Sequence, residues 1–155
     1  VSIEVACEAL SNFGGVKRRM ELLDTVKGIE VFDDFAHHPT AIDTTLEGAR
    51  KRLGERKLWA IIEPRSNTMR MGSHKDGLAH SARLADEVIW YQPEGLDWDL
   101  QPVIDASPNK AKVARTLDEI IQNVVAEAGE GDAVVIMSNG GFGGLHQNLI
   151  AALKA

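Results

Sequence analysis

Ala133-Val134-Val135-Ile136-Met137-Ser138-Asn139-Gly140-Gly141-Phe142-Gly143-Gly144 is the stretch that decides how the chain is read. Five apolar residues without a polar break predict a strand covered on both faces, as in a parallel sheet flanked by helices. Four glycines then turn the chain, and residues 145–153 carry the apolar spacing of a helix. The pattern repeats upstream. Leu117, Ile120, Ile121, Val124 and Val125 mark a helix that Gly129 ends, and residues 87–91 (EVIWY) and 57–63 (KLWAIIE) read as further strands. A helix spans 75–84, and Pro93, Gly95 and Pro102 punctuate an irregular stretch. Another helix starts at Pro39, runs through Ile42, Leu46, Ala49 and Leu53, and closes at Gly54. Residues 18–26 and 29–35 are rich in β-branched and aromatic side chains and flank Lys27-Gly28, a hairpin turn. Residues 3–10 read as the end of a helix stopped by Gly14-Gly15. Strand and helix alternate from the second strand onward. Right-handed crossovers make that order an α/β fold, a mostly parallel sheet with helices on both faces and an N-terminal β-hairpin.

The 155 residues match one domain, able to bury roughly 68–70% of the surface exposed on unfolding. Hydrophobic residues make up 44% and charged residues 26%, a globular composition. A net charge of −6 argues against a nucleic-acid partner, and no apolar window approaches the ~18 residues of a membrane span. The single cysteine, Cys7, rules out an internal disulfide, fits a reducing cytoplasm, and sits among apolar residues expected to pack it. The chain opens at Val1 without an initiator methionine, which leads us to expect a piece of something larger.

Ligands of open α/β sheets bind outside the carboxyl ends of the strands, and three unusual clusters fall there. They are Asp33-Asp34-Phe35-Ala36-His37-His38-Pro39, Glu63-Pro64-Arg65-Ser66-Asn67-Thr68, and the run from Ser138 to Gly144. Neighbouring strand residues point to opposite faces, so only one of Asp33 and Asp34 can face a given site. Such a carboxylate could bond a ribose hydroxyl pair. Alternatively, Asp33 or Asp34 accepts backbone N–H bonds while His38 begins the helix. Adjacent histidines lack the spacing of a helical metal site. The glycine run allows close backbone approach and offers N–H groups to an anion. It is neither a Walker A loop nor a Gly-x-Gly-x-x-Gly in the first βα unit. Arg65 carries a planar fork suited to a substrate carboxylate, or else is an exposed loop residue. A Ser138/His37/Asp34 hydrolase triad can be assembled on paper, but the Gly-x-Ser-x-Gly elbow is missing.

Together these segments resemble the C-terminal domain of the Mur ligase family. Residues 32–40 are similar to that family's Asp-Tyr-Ala/Gly-His-x-Pro segment in the two-histidine form of its muramate-linked members. Gly15-Val16-Lys17-Arg18-Arg19-Met20-Glu21 resembles the segment that closes its central ATPase domain. Residues 63–69 and 137–144 look most like the peptidoglycan-recycling branch, which uses a whole tripeptide. The resemblance implies a Rossmann-like domain, with residues 1–16 the tail of the central ATPase domain and 17–155 the C-terminal domain. It further implies an ATP-dependent cytoplasmic ligase, using Mg²⁺, that joins UDP-N-acetylmuramate to L-Ala-γ-D-Glu-meso-diaminopimelate through an acyl phosphate. Carried over by residue, Arg19, Asp34 and His37 would face ATP. Arg65, Ser66, Asn67, Ser138, Asn139, Gly140 and Gly141 would line the peptide. The relative that adds diaminopimelate alone grips it with Asp-Asn-Pro-Arg, where Glu63-Pro64-Arg65 stands here. The phosphate loop, the Mg²⁺ ligands and the UDP-binding domain would belong to absent N-terminal and central domains. The isolated chain is therefore expected not to ligate. The alternative is a free-standing α/β module that binds a muropeptide or nucleotide without catalysis.

Overall fold

The structure, a computed structural model, describes residues 2–5, 7, 18–64, 75–95 and 99–155. The elements run β1 (Glu21–Val26), β2 (Ile29–Asp34), α1 (Pro39–Leu53), β3 (Leu58–Ile62), α2 (Lys75–Ser81) and β4 (Glu87–Tyr91). They continue with α3 (Gln101–Ala106), β5 (Lys110–Ala114), α4 (Leu117–Glu127), β6 (Ala133–Met137) and α5 (Leu145–Lys154). The described strands form one six-stranded sheet in the order β1-β2-β6-β3-β4-β5. β1 is antiparallel to β2, and the four other pairings are parallel. This is the Rossmann-like α/β sheet with its N-terminal hairpin that the sequence led us to expect.

The alternation along β6 explains why both faces are covered. Val135 and Met137 join Phe32, Ile62 and Trp90 under Ile42, Leu46, Leu78 and Val103, on the side of α1, α2 and α3. Val134 and Ile136 join Val31, Trp59 and Ile89 under Ile120, Val124 and Leu149, on the side of α4 and α5. Each such side chain contributes roughly 1.5–3 kcal/mol by leaving water, so the central strands hold the fold together. Because β2 and β3 send their helices to one face and β6 sends α5 to the other, a crevice opens around the carboxyl end of β6.

Local signals fix the ends of the elements. Lys27 and Gly28 both take positive φ (52° and 80°), the type I′ geometry that suits a two-residue hairpin. Pro39 fills the first turn of α1, His38 is its N-cap and accepts the Thr40 N–H at 3.3 Å, and Gly54 caps its end. β1 starts at Glu21, three residues later than expected, because Arg18 and Met20 adopt left-handed backbone (φ 57° and 47°). The irregular stretch after Pro93 contains α3 and β5, which the sequence reading missed. β5 (KAKVA) is an edge strand whose lysines pair outward, Lys110 with Glu87 at 2.9 Å and Lys112 with Glu127 at 3.7 Å. Charge on an edge blunts strand-to-strand association but also erases the apolar signature of a strand. Cys7 lies in a helical segment and is exposed, contrary to the packing expected of it.

Candidate functional site

Three strand ends meet at the crevice. Asp33 and Asp34 end β2, Glu63 follows β3, and Ser138 follows β6; all four are buried, with relative exposures of 7%, 2%, 5% and 0%. Buried polar groups of this kind require partners, and the partners differ by face.

Asp34 points to the α1 side. Its Oδ2 accepts the Met20 N–H at 2.9 Å, and its Oδ1 accepts the Ala36 N–H at 2.8 Å and the Thr45 hydroxyl at 3.1 Å. Met20 directly follows Arg19, and Ala36 directly precedes His37. One carboxylate therefore ties down the two segments that carry the other nucleotide candidates. Arg19 is exposed, whereas His37 is half-buried and has its Nδ1 2.9 Å from the Phe35 carbonyl. That contact makes Nδ1 the donor and leaves Nε2 for another partner. The Phe35 ring, 39% exposed, meets the His37 ring edge-on at 5.4 Å.

Asp33 points to the α5 side. The Arg18 Nε donates to its Oδ2 at 3.1 Å, and His146 Nε2 lies 2.9 Å from its Oδ1. Arg18 also donates from Nη2 to the carbonyls of Ser138 (2.7 Å) and Gly140 (2.8 Å). Beside Asp33 lies a surface cleft of about 480 Å³, lined by Leu23, Gly141, Gly144, His146, Gln147 and Ile150 as well.

The glycine loop is built more tightly than a turn requires. Phe142, Gly143 and Gly144 all take positive φ (49°, 58° and 78°). For Phe142 this is a strained choice, costing roughly 1–2 kcal/mol. It is held because its ring is 2% exposed and packs on Tyr91 at 5.4 Å. A Cβ on Gly143 would meet Leu117 Cδ1 at 2.7 Å, so any other residue there would have to push that side chain of α4 aside as well as bear the positive φ. Ser138 donates its hydroxyl to Glu63 Oε2 at 2.7 Å and accepts the Gly140 N–H at 3.1 Å. Burial raises the Tyr91 phenol above its ordinary value, and the negative charge of Glu63 adds to that.

The structure thus brings Arg19, Asp34, His37, Ser138, Asn139, Gly140 and Gly141 to one end of the sheet. Asn139 and Gly140 are half-buried and Gly141 is exposed. Arg65, Ser66 and Asn67 lie outside the described residues. The hydrolase arrangement is not formed: Ser138 Oγ is fully buried and gives its proton to Glu63, while Asp34 holds backbone amides. Among the described residues no group of three His, Cys, Asp or Glu side chains could hold a metal ion. No helix among them is long and apolar enough to cross a membrane. Sequence reading quoted Arg18 and Glu63 within its motifs without giving either a role, and it passed over Tyr91 and His146 as site residues. Only the position of His146, one step inside the helix after the glycine loop, could have flagged it.

Residues 18–140 match the family model described as the Mur ligase, glutamate ligase domain. The chain is 44% identical over 155 residues to a UDP-N-acetylmuramate–L-alanyl-γ-D-glutamyl-meso-2,6-diaminoheptandioate ligase of Haemophilus influenzae. It is 45% identical over 149 residues to the protein of the same description in Escherichia coli. These alignments cover 99% and 96% of this chain, which spans about one third of the length of either relative (34% and 33%). In three dimensions it is similar to a murein peptide ligase of Psychrobacter arcticus, with a TM-score of 0.84 and 57% identity over 99% of this chain and 33% of that one. The chain belongs to the Mur ligase family and carries its C-terminal, glutamate ligase domain.

Proposed function

We propose that this chain is the C-terminal domain of an ATP-dependent amide ligase that joins UDP-N-acetylmuramate to L-alanyl-γ-D-glutamyl-meso-diaminopimelate during peptidoglycan recycling in the cytoplasm. The single observation carrying this reading is the meeting of the β2, β3 and β6 ends in one crevice. The names borne by relatives at 44% and 45% identity supply the substrate class. In this reading residues 1–16 end the preceding ATPase domain and 17–155 form the closing domain.

The reaction transfers the ATP γ-phosphoryl group to the muramate carboxylate. The peptide's amine nitrogen then attacks the acyl carbon, phosphate leaves with the bond electrons, and the amine gives up a proton. None of these steps needs a covalent nucleophile from this domain, and the buried Ser138 hydroxyl is not one. Its residues bind and orient. Arg19, exposed beside the anchored Met20, is free to meet a γ-phosphate, where a guanidinium stabilises developing charge. His37 offers Nε2 to the nucleotide. Asp34 has three hydrogen bonds from the protein, so its contribution to the ATP site runs mainly through the segments it fixes, with one lone pair left for a ribose hydroxyl. Ser138, Asn139, Gly140 and Gly141 form one peptide wall, and the family resemblance assigns Arg65, Ser66 and Asn67 to the peptide as well. The family resemblance assigns the ligands of the Mg²⁺ that accompanies ATP to the central domain of the longer protein.

The test is a ligation assay on the full-length chain with ATP, Mg²⁺, UDP-N-acetylmuramate and tripeptide, scored by mass spectrometry of the product. Stoichiometric ADP and UDP-N-acetylmuramoyl-tripeptide are expected from the full-length protein, and neither from the 155 residues alone. Nucleotide or muropeptide binding without product in the full-length protein favours the binding-module reading.

A further inference from the structure

Arg18 makes more contacts between separate segments than its place in a turn would suggest. Its guanidinium bonds the Asp33 carboxylate and two carbonyls of the glycine loop, and its Cζ lies 5.2 Å from the centre of the Phe35 ring. Its own carbonyl accepts the Phe35 N–H at 2.7 Å. Through Asp33 the connection reaches His146 in the first turn of α5. Two separate nitrogens of the planar fork, Nε and Nη2, donate to these groups, a spread that the single nitrogen of a lysine ammonium does not have. With its described donors turned onto protein oxygens and its side chain 28% exposed, Arg18 is placed to hold the protein rather than a substrate.

We propose that Arg18 is a positioning residue. Together with Asp33 and His146 it sets the glycine loop from Ser138 to Gly141 against the turn that carries Arg19. The peptide-facing wall is thereby fixed relative to the phosphate-facing residue next door. The catalytic part of this inference rests on the ligase reading above. The structural part, that Arg18 holds the loop, does not.

The experiment has two arms, both on the full-length protein. In the kinetic arm, Arg18→Met raises the tripeptide KM about tenfold while the ATP KM moves less than about threefold, because misplaced binding walls are costly. Arg18→Lys fails to restore the tripeptide KM. The pair Arg18→Met with Asp33→Asn is no worse than the poorer single change, since both break one network. Arg83→Met, which removes an ion pair to Asp43 away from the crevice, leaves both constants unchanged. Equal rises in the two KM values, or full rescue by lysine, overturn the proposal. In the second arm, amide hydrogen exchange is compared between the wild type and Arg18→Met. Exchange at Gly140 and Gly141 speeds up about tenfold or more, with β3 and α1 amides unchanged, as expected for local rather than global opening. Unchanged exchange in the loop, or an equal rise everywhere, overturns it. Should the wild-type protein make no product, the ligase reading falls and the exchange arm alone decides on Arg18.

Discussion

Asp33 and Asp34 are one residue apart and end the same strand, yet their surroundings are opposite. Asp34 is surrounded by dipoles: two backbone N–H groups and a threonine hydroxyl, on the side of α1. Asp33 is surrounded by ionisable partners, an arginine and a histidine, on the side of α5. Strand pleating alone separates them. Neutral donors at fixed backbone positions make a rigid anchor that ionic strength barely touches. Charged side chains on longer stems make a connection that spans segments and responds to its medium. The α1 side, where the nucleotide candidates lie, has the rigid anchor. The α5 side, with the peptide candidates, has the adjustable one.

The comparison can be broken in three ways. The largest effect is expected from Asp34→Ala, which strands the Met20 and Ala36 amides and lowers stability by about 3 kcal/mol. In denaturant titrations that loss should be the same at low and high salt. In the full-length enzyme, Asp34→Ala should raise the ATP KM more than the tripeptide KM, and the reverse order would show that the anchor serves the wrong substrate. A smaller loss, about 1 kcal/mol, is expected for Asp33→Asn, which keeps part of the hydrogen bonding. It should shrink when the titration is repeated in about 1 M salt, where the Debye length falls to about 3 Å. If Asp34 proved the salt-sensitive one, the contrast would be inverted. The smallest effect concerns Tyr91, the only tyrosine in the chain. Burial, then the Glu63 charge, raise its phenol above 10.0 in the folded protein. The native state holds this proton more tightly than the unfolded chain. Its contribution to stability is therefore full below pH 10 and is lost as pH climbs through the raised value. Spectrophotometric titration should find the phenol ionising above its ordinary value, with Glu63→Gln moving it part of the way back.

Much of this arrangement was legible in the sequence, for identifiable reasons. β3 and β6 are continuous apolar runs, and α1 has a proline at its start, a glycine at its end and four apolar residues at helical spacing. The three clusters at strand ends could be named because α/β topology sends ligands there. What escaped notice depends on contacts between distant residues. Asp33 meets His146 across 113 positions and Arg18 meets Gly140 across 122, and no local pattern encodes such meetings. β5 was hidden by the lysines that protect it as an edge. Glu63 was read as the last residue of a strand over 57–63, whereas β3 ends at Ile62 and the Glu63 carboxylate is buried against the Ser138 hydroxyl, a partner 75 positions away.

The reversed first strand has one further consequence. β1 pairs Glu21 with Asp33 and Val26 with Ile29, so the chain joins the sheet beside the carboxyl ends of the parallel strands. Had the fold begun at β2, the attachment point would lie at the opposite end, roughly 20 Å away at about 3.3 Å per residue. A single hairpin brings the covalent tether round to the mouth of the crevice. The described domain is therefore entered at Arg18, whose guanidinium touches Ser138 and Gly140 at that mouth, and not at the far end of the sheet.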